Sequence, residues 1–135
     1  MEEEEEDDRV EFVRVDHILL AAPTGTEEKA RHFYGTICGM KEIPKPANLQ
    51  KRGGVWFRVG SNQLHVGMED PGTFHPNKKA HPAVEVRNLA GLRRRLVSNG
   101  VPVEDDEPLE GADRFYSEDP SGNRLEFIEW KEKRR

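Results

Sequence analysis

Residues 114–130 read Arg-Phe-Tyr-Ser-Glu-Asp-Pro-Ser-Gly-Asn-Arg-Leu-Glu-Phe-Ile-Glu-Trp, and this segment decides the fold. It predicts two strands joined by a tight turn, because Pro120 presets φ and Gly122 permits a positive φ. In the second strand Glu126 alternates with Leu125 and Phe127, and such alternation is typical of a β-strand. A carboxylate among large apolar residues is costly unless it is paired or binds a metal. Glu126 is therefore the first candidate functional residue.

The length of 135 residues predicts one domain with a sizeable core. Residues 2–8 are all acidic, and such a run of like charges repels itself. We therefore expect a disordered acidic tail over 1–9, a single domain over 10–130 and a basic tail over 131–135.

Three classes of partner or location are disfavoured by composition. No apolar run approaches the ~20 residues of a membrane span, and no signal-peptide pattern opens the chain. The basic segments Arg93–Arg95 and Lys131–Arg135 contain no aromatic residues, which argues against a nucleic-acid surface. Cys38 is the single cysteine, so no internal disulfide can form and a cytoplasmic location is expected.

Two halves of the chain repeat the same order of predicted elements: strand, helix, short strand and hairpin. The first half covers about 10–70 and the second about 80–130, with a Pro- and Gly-containing linker over Glu69–Ala80. Repeated units normally pack so that each completes the burial of the other. We therefore predict an α+β fold in which two βαβββ modules form a cupped eight-stranded sheet with helices outside.

The local patterns predict the elements of the first half. A strand is expected over Val10–Ala21, and a helix follows with a capping-box spacing between Thr24 and Glu27. Cys38 falls on the apolar stripe of this helix, so it is expected to be a small core residue. Strands over Val55–Val59 and Asn62–Met68 are expected to form a hairpin. Because side chains alternate between the two faces of a strand, one face of this hairpin carries a polar row that suits a pocket or an interface: Trp56, Arg58, Gln63 and His65.

The repeat relates four residues that suit a metal. His17 and His81 lie in the first strand of each half, while His65 and Glu126 lie in the last strand of each half. Three imidazoles and a carboxylate suit a divalent ion such as Fe, Mn, Zn, Ni or Co. The alternative is four separate polar residues, each satisfied by hydrogen bonds. The symmetry-related positions favour the metal site, on the inner face of the cup.

Four segments resemble the vicinal oxygen chelate superfamily: Val-Asp-His17-Ile, Gln-Leu-His65-Val, Ala-His81-Pro-Ala and Asp119-Pro-Ser-Gly-Asn-Arg-Leu-Glu126. The resemblance covers about Val13 to Glu129. It implies that His17, His65, His81 and Glu126 are metal ligands, and that the metal binds two neighbouring oxygens of a small substrate. Glu126 and His65 are then the candidates for proton transfer. Family members of this length also imply a homodimer, some with sites built from two chains.

The resemblance leaves the reaction open. Glyoxalase I usually has a carboxylate at the position of His65, whereas thiol-transferring fosfomycin enzymes share the other three ligands and place a tyrosine at Tyr116. Extradiol dioxygenases use two His and one Glu, and bleomycin-type binders lack a metal set. We expect a glyoxalase-like lyase or isomerase; a dioxygenase, a thiol transferase and a binding module are the alternatives. The expected substrate-binding residues are Trp56, Arg58, Gln63 and Tyr116, although the sequence does not decide which way Tyr116 and Arg114 face.

Overall fold

Two four-stranded sheets of the same topology build the fold, in a computed structural model that describes residues 7–132. The first module contains β1 (His17–Pro23), helix α1 (Glu27–Ala30) continued by a π-helix (Arg31–Ile37), β2 (Lys41–Ile43), a 3-10 helix (Ala47–Arg52), β3 (Val55–Val59) and β4 (Asn62–Glu69). The second contains β5 (Ala83–Glu85), α2 (Leu89–Ser98), β6 (Val103–Glu104), β7 (Ala112–Glu118) and β8 (Arg124–Trp130). The predicted α+β fold of two βαβββ modules is confirmed.

The strand order is β1-β4-β3-β2 in one sheet and β5-β8-β7-β6 in the other. The first strand of each module pairs in parallel with the last one, and the remaining pairs are antiparallel. Hydrogen bonding thus divides the eight strands into two sheets of four, and β1 and β5 lie at their edges. The predicted hairpin β3–β4 is present and turns at Gly60-Ser61, with Trp56 opposite His65 and Arg58 opposite Gln63.

The apolar faces of both sheets and the helices share one core. Its buried members include Phe33 and Tyr34 from the first helix, Leu96 from α2, and Phe57 and Phe127 from the sheets. Each large apolar side chain buried in this way contributes roughly 1.5–3 kcal/mol. Because the helices cover the apolar faces, the opposite face of each sheet keeps its polar row, and the site residues lie there.

The turn between β7 and β8 connects the modules through buried hydrogen bonds. Asp119 accepts hydrogen bonds from the backbone N–H groups of Ser121 and Asn123, both at 2.9 Å, and from the hydroxyl of Tyr34 at 2.7 Å. The side-chain amide of Asn123 also donates to the carbonyl oxygen of Ala21 at 2.7 Å. The turn of the second module therefore holds both the helix and the first strand of the first module.

The first strand begins later than its apolar pattern predicts. It starts at His17, not at Val10, and residues 10–16 are exposed and have no regular structure. The reason is the partner strand: His17 pairs with Gln63, close to the point where β4 begins at Asn62. Upstream residues find no neighbouring backbone there, and an apolar pattern alone does not make a strand.

The predicted capping box is also wrong. Thr26 precedes the helix and makes no side-chain cap. The hydroxyl of Thr24 donates instead to the carbonyl oxygen of Glu69 at 3.2 Å, and Glu27 accepts from the backbone N–H of Gly54 at 3.1 Å. Contacts with the following hairpin outcompete the local cap. Asn88, in contrast, caps α2: its side chain accepts a hydrogen bond from the N–H of Gly91.

The predicted tails fall mainly at the limits of the structure. Residues 1–6 of the acidic tail and 133–135 of the basic tail lie outside the described residues, while residues 7–9 are exposed and have no regular structure. Within residues 7–132 there is no helix with the length and apolar character needed to cross a membrane.

Candidate functional site

Three rings stack on the polar face of the first module. The imidazole of His65 lies between His17, at a centroid distance of 4.2 Å, and Trp56, at 3.8 Å with parallel planes. Neighbouring strands supply the three rings, since His65 is on β4, Trp56 is opposite it on β3, and His17 lies on β1. The stack buries His65, which is only 6% exposed, and leaves His17 at the surface.

The ring nitrogens of this stack are engaged differently. Nδ1 of His17 lies 3.0 Å from a carboxylate oxygen of Asp16, so that nitrogen carries the proton and Nε2 is left as an acceptor. Nε2 of His65 lies 2.8 Å from the side-chain oxygen of Gln63, so in His65 the lone pair is on Nδ1. His17 therefore presents its outer nitrogen to a ligand, while His65 uses its outer nitrogen to hold Gln63.

Burial and a neighbouring imidazole set the protonation of His65. Burial lowers the pKa of His65 below its ordinary value of 6.5, and the proximity of His17 lowers it further, while Asp16 opposes the shift. His65 is thus a neutral ring at pH 7, able to accept a proton.

A cavity of about 400 Å³ opens beside the stack. Trp56, His65 and Leu19 line it, and Leu19 is 61% exposed. Lys45 and Arg52, at the two ends of the 3-10 helix region, form its charged border. Of the other predicted substrate residues, Arg58 is exposed and lines a separate cavity with residues 84–88 of the second module.

The second module carries a hydrogen-bonded pair. Nε2 of His81 lies 3.0 Å from Oε1 of Glu126, and Nδ1 of His81 lies 2.9 Å from the carbonyl oxygen of Lys79. Glu126 is 7% exposed although it carries a carboxylate. It lies at the centre of its sheet, opposite Tyr116 on β7 and Ala83 on β5.

The register of β7 and β8 decides the orientation that the sequence leaves open. Tyr116 pairs with Glu126, and its ring meets the ring of His81 edge-on at 5.2 Å. Arg114 is two residues away on the same strand, and its Nη1 lies 3.4 Å from Oε2 of Glu126. Arg124 places its guanidinium 4.0 Å from the centre of the Tyr116 ring. Sequence reasoning misses Arg124 and leaves Arg114 unassigned, although two-residue spacing from Tyr116 and Glu126 is the signal that places them.

Burial also keeps the hydroxyl of Tyr116 protonated. Desolvation raises the pKa of Tyr116 above 10.0, and the charge of Glu126 adds to this, while Arg114 opposes it. At neutral pH the side chain is therefore an O–H donor, and its hydrogen-bond partner is Asp106.

The four predicted metal ligands form two pairs, not one cluster. His17 contacts His65, and His81 contacts Glu126. Across residues 7–132, no three His, Cys, Asp or Glu side chains are grouped in a way that could hold a metal ion. Each pair is thus at most half of a site within one chain.

The hydrogen bonds of His81 fit a cation. Both ring nitrogens face oxygen acceptors, the carbonyl oxygen of Lys79 and the carboxylate of Glu126. A neutral imidazole has only one N–H, so one of these contacts requires a second proton or another positive charge in its place. Metal-binding histidines commonly donate their second nitrogen to a carbonyl or carboxylate oxygen, as His81 does to Lys79 and His17 does to Asp16.

Comparisons with known proteins identify the family and the fold. Residues 14–127 match the family model described as the Glyoxalase/Bleomycin resistance protein/Dioxygenase superfamily. The fold is similar to that of a crystal structure assigned to the glyoxalase family from Bacillus anthracis, with 46% identity, a TM-score of 0.86, and coverage of 91% of this chain and 99% of that one. No curated protein matches the sequence.

More distant solved structures share the fold alone. Lactoylglutathione lyase from Agrobacterium tumefaciens is 21% identical, with a TM-score of 0.64 and coverage of 86% of this chain and 92% of that one. TnmS3, an antibiotic binding protein from Streptomyces sp. CB03234, is 18% identical, with a TM-score of 0.65 and coverage of 89% and 100%. An enzyme and a binding protein thus both use this architecture.

Proposed function

The chain belongs to the glyoxalase/bleomycin resistance protein/dioxygenase superfamily, and on this basis we propose that it is a divalent-metal-dependent enzyme acting on a small oxygen-rich molecule. The proposed ligands are the residues predicted from sequence: His17, His65, His81 and Glu126. The proposed reaction is of the glyoxalase-like lyase or isomerase type.

The pair His81–Glu126 carries this proposal. Both ring nitrogens of His81 face oxygens at 2.9 and 3.0 Å, and Glu126 is buried beside it. His81 and Glu126 would hold a divalent ion, which would supply the positive charge that this arrangement calls for. His17 adds a second imidazole whose Nδ1 is already bound by Asp16.

A second copy of the chain would complete the site. His17 and His65 lie on one sheet and His81 and Glu126 on the other, without a cluster of three in residues 7–132. Strand β1, at the edge of the first sheet, begins with His17. His81 lies two residues before β5, at the edge of the second sheet. In a twofold dimer, the same pair of surfaces meets twice, so the first module of one copy can face the second module of its partner. We therefore propose a homodimer with shared sites.

The bound metal would act as a Lewis acid that stabilises negative charge developing on a substrate oxygen. The side chains of this chain supply the remaining functions. His65 is neutral at pH 7, and its one free lone pair would serve either as a metal ligand or as a proton acceptor, but not as both at once. The hydroxyl of Tyr116, at the strand position opposite Glu126, stays protonated and hydrogen-bonds Asp106. Trp56 would offer a flat apolar surface to the substrate. Glu126 is the second candidate for proton transfer.

A binding module without turnover is the second candidate function. The observation that favours it is the cavity of about 400 Å³ with Trp56 and the exposed Leu19, which suits a flat apolar molecule. An extradiol-dioxygenase-like activity and a thiol transfer of the fosfomycin-resistance type remain alternatives on the same ligands.

Metal content tests the proposal. Purified protein is stripped, reloaded with one of Fe, Mn, Zn, Ni or Co, and assayed by elemental analysis. His81→Ala and Glu126→Ala should lose most of the bound metal, whereas His32→Ala, an exposed histidine on the first helix, should retain it. Full metal content in His81→Ala would contradict the proposed site.

Mixing two inactive variants tests whether the site is shared. His17→Ala and Glu126→Ala each damage a different half, so refolding them together should restore part of the metal binding if two chains build each site. Variants that remain metal-free in the mixture would place the ligands within one chain.

Turnover separates the enzyme from the binding module. Metal-loaded protein is assayed with a hemithioacetal, a catechol, and an epoxide with a thiol, with and without a chelator. Turnover of one compound that is lost with chelator supports the enzyme. Tight binding of an aromatic compound without turnover would favour the binding module.

A further inference from the structure

A basic cleft of about 410 Å³ opens between the two modules. Residues 38–41 and 58–60 line it from the first module, and residues 84–88 and the first turns of α2 line it from the second. Its charged lining consists of four cations and one acid, all exposed: Lys41, Arg58, Arg87, Arg95 and Glu85. Such an excess of one charge attracts a ligand of the opposite charge.

Neighbouring acids do not neutralise the four cations. Lys41, Arg58 and Arg87 make no ion pair within residues 7–132. Nη1 of Arg95 lies 3.4 Å from the carbonyl oxygen of Cys38, which is a neutral acceptor. Lys41 and Arg58 are also paired directly opposite each other on β2 and β3, and like charges at such positions repel. An anion in the cleft would relieve this repulsion.

Two acids border the cleft without changing its sign. Glu129 lies at the start of α2, where its carboxylate already accepts from the backbone N–H groups of Asn88 and Leu89, both at 3.0 Å. The beginning of the helix is therefore occupied and adds no site of its own. Glu85 makes no ion pair within the described part of the chain. One unpaired carboxylate thus stands against four cations.

The chain carries an acidic segment within reach of this cleft. Residues 2–8 are all acidic, and regular structure begins at His17. Strand pairing places four residues in one row across the first sheet, in the order His17, Gln63, Arg58 and Lys41. With about 4.8 Å between neighbouring strands, Lys41 lies roughly 14 Å from His17. The extended chain between residue 8 and His17 spans up to roughly 30 Å, so the acids can reach the cleft.

A second cavity, of about 590 Å³, provides a path for the connecting residues. Val15 lines it, and it shares residues 59–60 and 84–87 with the basic cleft. The residues that precede Val15 are apolar and uncovered, since Phe12 is 95% and Val13 is 74% exposed. Neighbouring exposed apolar side chains mark a contact surface. Apolar and then acidic residues along the segment therefore match the order of the two cavities.

We propose that the basic cleft binds an acidic peptide segment, and that this segment is residues 2–8 of the same chain, with residues 10–15 lying along the second cavity. Residues 10–14 line neither cavity in the structure, so the docked arrangement is a second state of the segment. Covalent attachment favours it over a free anion, because it raises the local concentration of the acids. Arg58, expected from the sequence to bind substrate, would bind this segment instead. The inference does not depend on the proposed metal site.

Paramagnetic relaxation enhancement detects the docked state in the full-length protein. A nitroxide is attached to Glu5→Cys, and wild-type protein taken through the same reaction controls for labelling of Cys38. At low ionic strength we expect broadening of amide signals centred on Lys41, Arg58 and residues 84–88. The broadening should fall at least about threefold in 0.5 M salt, because salt screens exposed charges.

Charge reversal shows whether the cleft holds the segment. The broadening should fall at least about threefold in the double variant Lys41→Glu/Arg58→Glu, because two attractions become repulsions. Lys29→Glu/Arg94→Glu is the matched control, since both residues are exposed and line neither cavity; it should keep the broadening. Broadening that is absent, spread over the whole surface or equal in the two variants overturns the proposal.

Two measurements test that the segment belongs to the same chain. Isotope-labelled protein without nitroxide is mixed with nitroxide-labelled protein without isotope; signals that broaden in this mixture would assign the contact to a second copy and overturn the proposal. A peptide of residues 2–8 should bind at least about tenfold more tightly to a full-length variant whose own residues 2–8 are changed to Gln and Asn than to the wild type, in which the tethered segment competes. Equal binding would contradict an occupied cleft.

Discussion

Replacing Tyr34 by Phe should destabilise the protein by about 2 kcal/mol, because the hydroxyl makes a buried hydrogen bond to a carboxylate. The oxygen–oxygen distance to Asp119 is 2.7 Å, and the two residues are 1% and 6% exposed. Burial, followed by the charge of Asp119, raises the pKa of Tyr34 well above its ordinary value of 10.0, so the hydroxyl remains a donor at any moderate pH. Water cannot readily replace it at this buried site.

The magnitude follows from what the carboxylate retains. Hydrogen bonds to charged groups contribute roughly 1.5–3 kcal/mol. Asp119 keeps three donors in the variant, namely the N–H groups of Ser121 and Asn123 and the side-chain amide of Asn123. The charge is therefore not left unpaired, and the loss should not reach the larger penalty of an isolated buried carboxylate.

Urea unfolding at one fixed protein concentration measures this loss, because dimerisation would make the stability concentration-dependent. Tyr116→Phe is the matched control: it removes the same hydroxyl, but there the oxygen accepts a 3.3 Å contact from Arg114 and the O–H faces the exposed carboxylate of Asp106. Water can replace the hydroxyl at this carboxylate, so the loss should be below about 1 kcal/mol. A double-mutant cycle with Asp119→Asn should give a coupling energy of roughly 1 kcal/mol or more. A Tyr34→Phe loss under about 0.5 kcal/mol would refute the idea that this turn holds the modules together.

Three further predictions concern protonation and backbone shape. The pKa of His65 is lowered in the folded state from 6.5, so its contribution to stability is present above pH 6.5 and is lost as the pH falls toward the folded pKa. Between pH 7.5 and 5.5 the wild type should therefore lose more stability in urea unfolding than His65→Gln, and equal losses would contradict the shift. Burial raises the pKa of Cys38 to about 12, so native protein at pH 8 should react with iodoacetamide far more slowly than urea-unfolded protein, as mass spectrometry can follow; comparable rates would show an accessible thiolate. Gly54→Ala should lower the free energy of unfolding by more than about 2 kcal/mol, since φ is +87° and a Cβ would lie 2.3 Å from the carbonyl oxygen of Val66. Gly60→Ala, at φ +56° with open space around the residue, should lower it by only about 1 kcal/mol. Thermal unfolding compares the two variants, and equal losses of stability would contradict the steric argument.

Much of the fold is readable from short-range patterns. The alternation around Phe57 and Leu64 predicts both the hairpin and the face that it buries, and the structure confirms both. A two-residue loop at Gly60-Ser61 sets this register, so a local rule suffices. The repeat of strand, helix and hairpin in two halves likewise predicts the two modules.

The errors occur where distant segments compete for the same groups. Thr24 has the right neighbours for a capping box, yet its hydroxyl binds the carbonyl oxygen of Glu69 at the end of β4. The apolar residues from Val10 onward have a strand-like pattern but no partner beyond His17. Both outcomes depend on β4, which is distant in sequence from Thr24 and from Val10, so neither follows from local spacing.

For the candidate site, the sequence by itself determined which residue types lie on which face, because side chains alternate along a strand with a period of two. This is enough to select His17, His65, His81 and Glu126 as candidate ligands. Only the tertiary structure decided how they group, since hydrogen bonding closes each module into its own four-stranded sheet and each sheet carries one pair, with no cluster of three in residues 7–132. Arg114 lies beside Glu126 only because of the register in which β7 pairs with β8. The order of residues along the chain does not specify which charges meet across two paired strands.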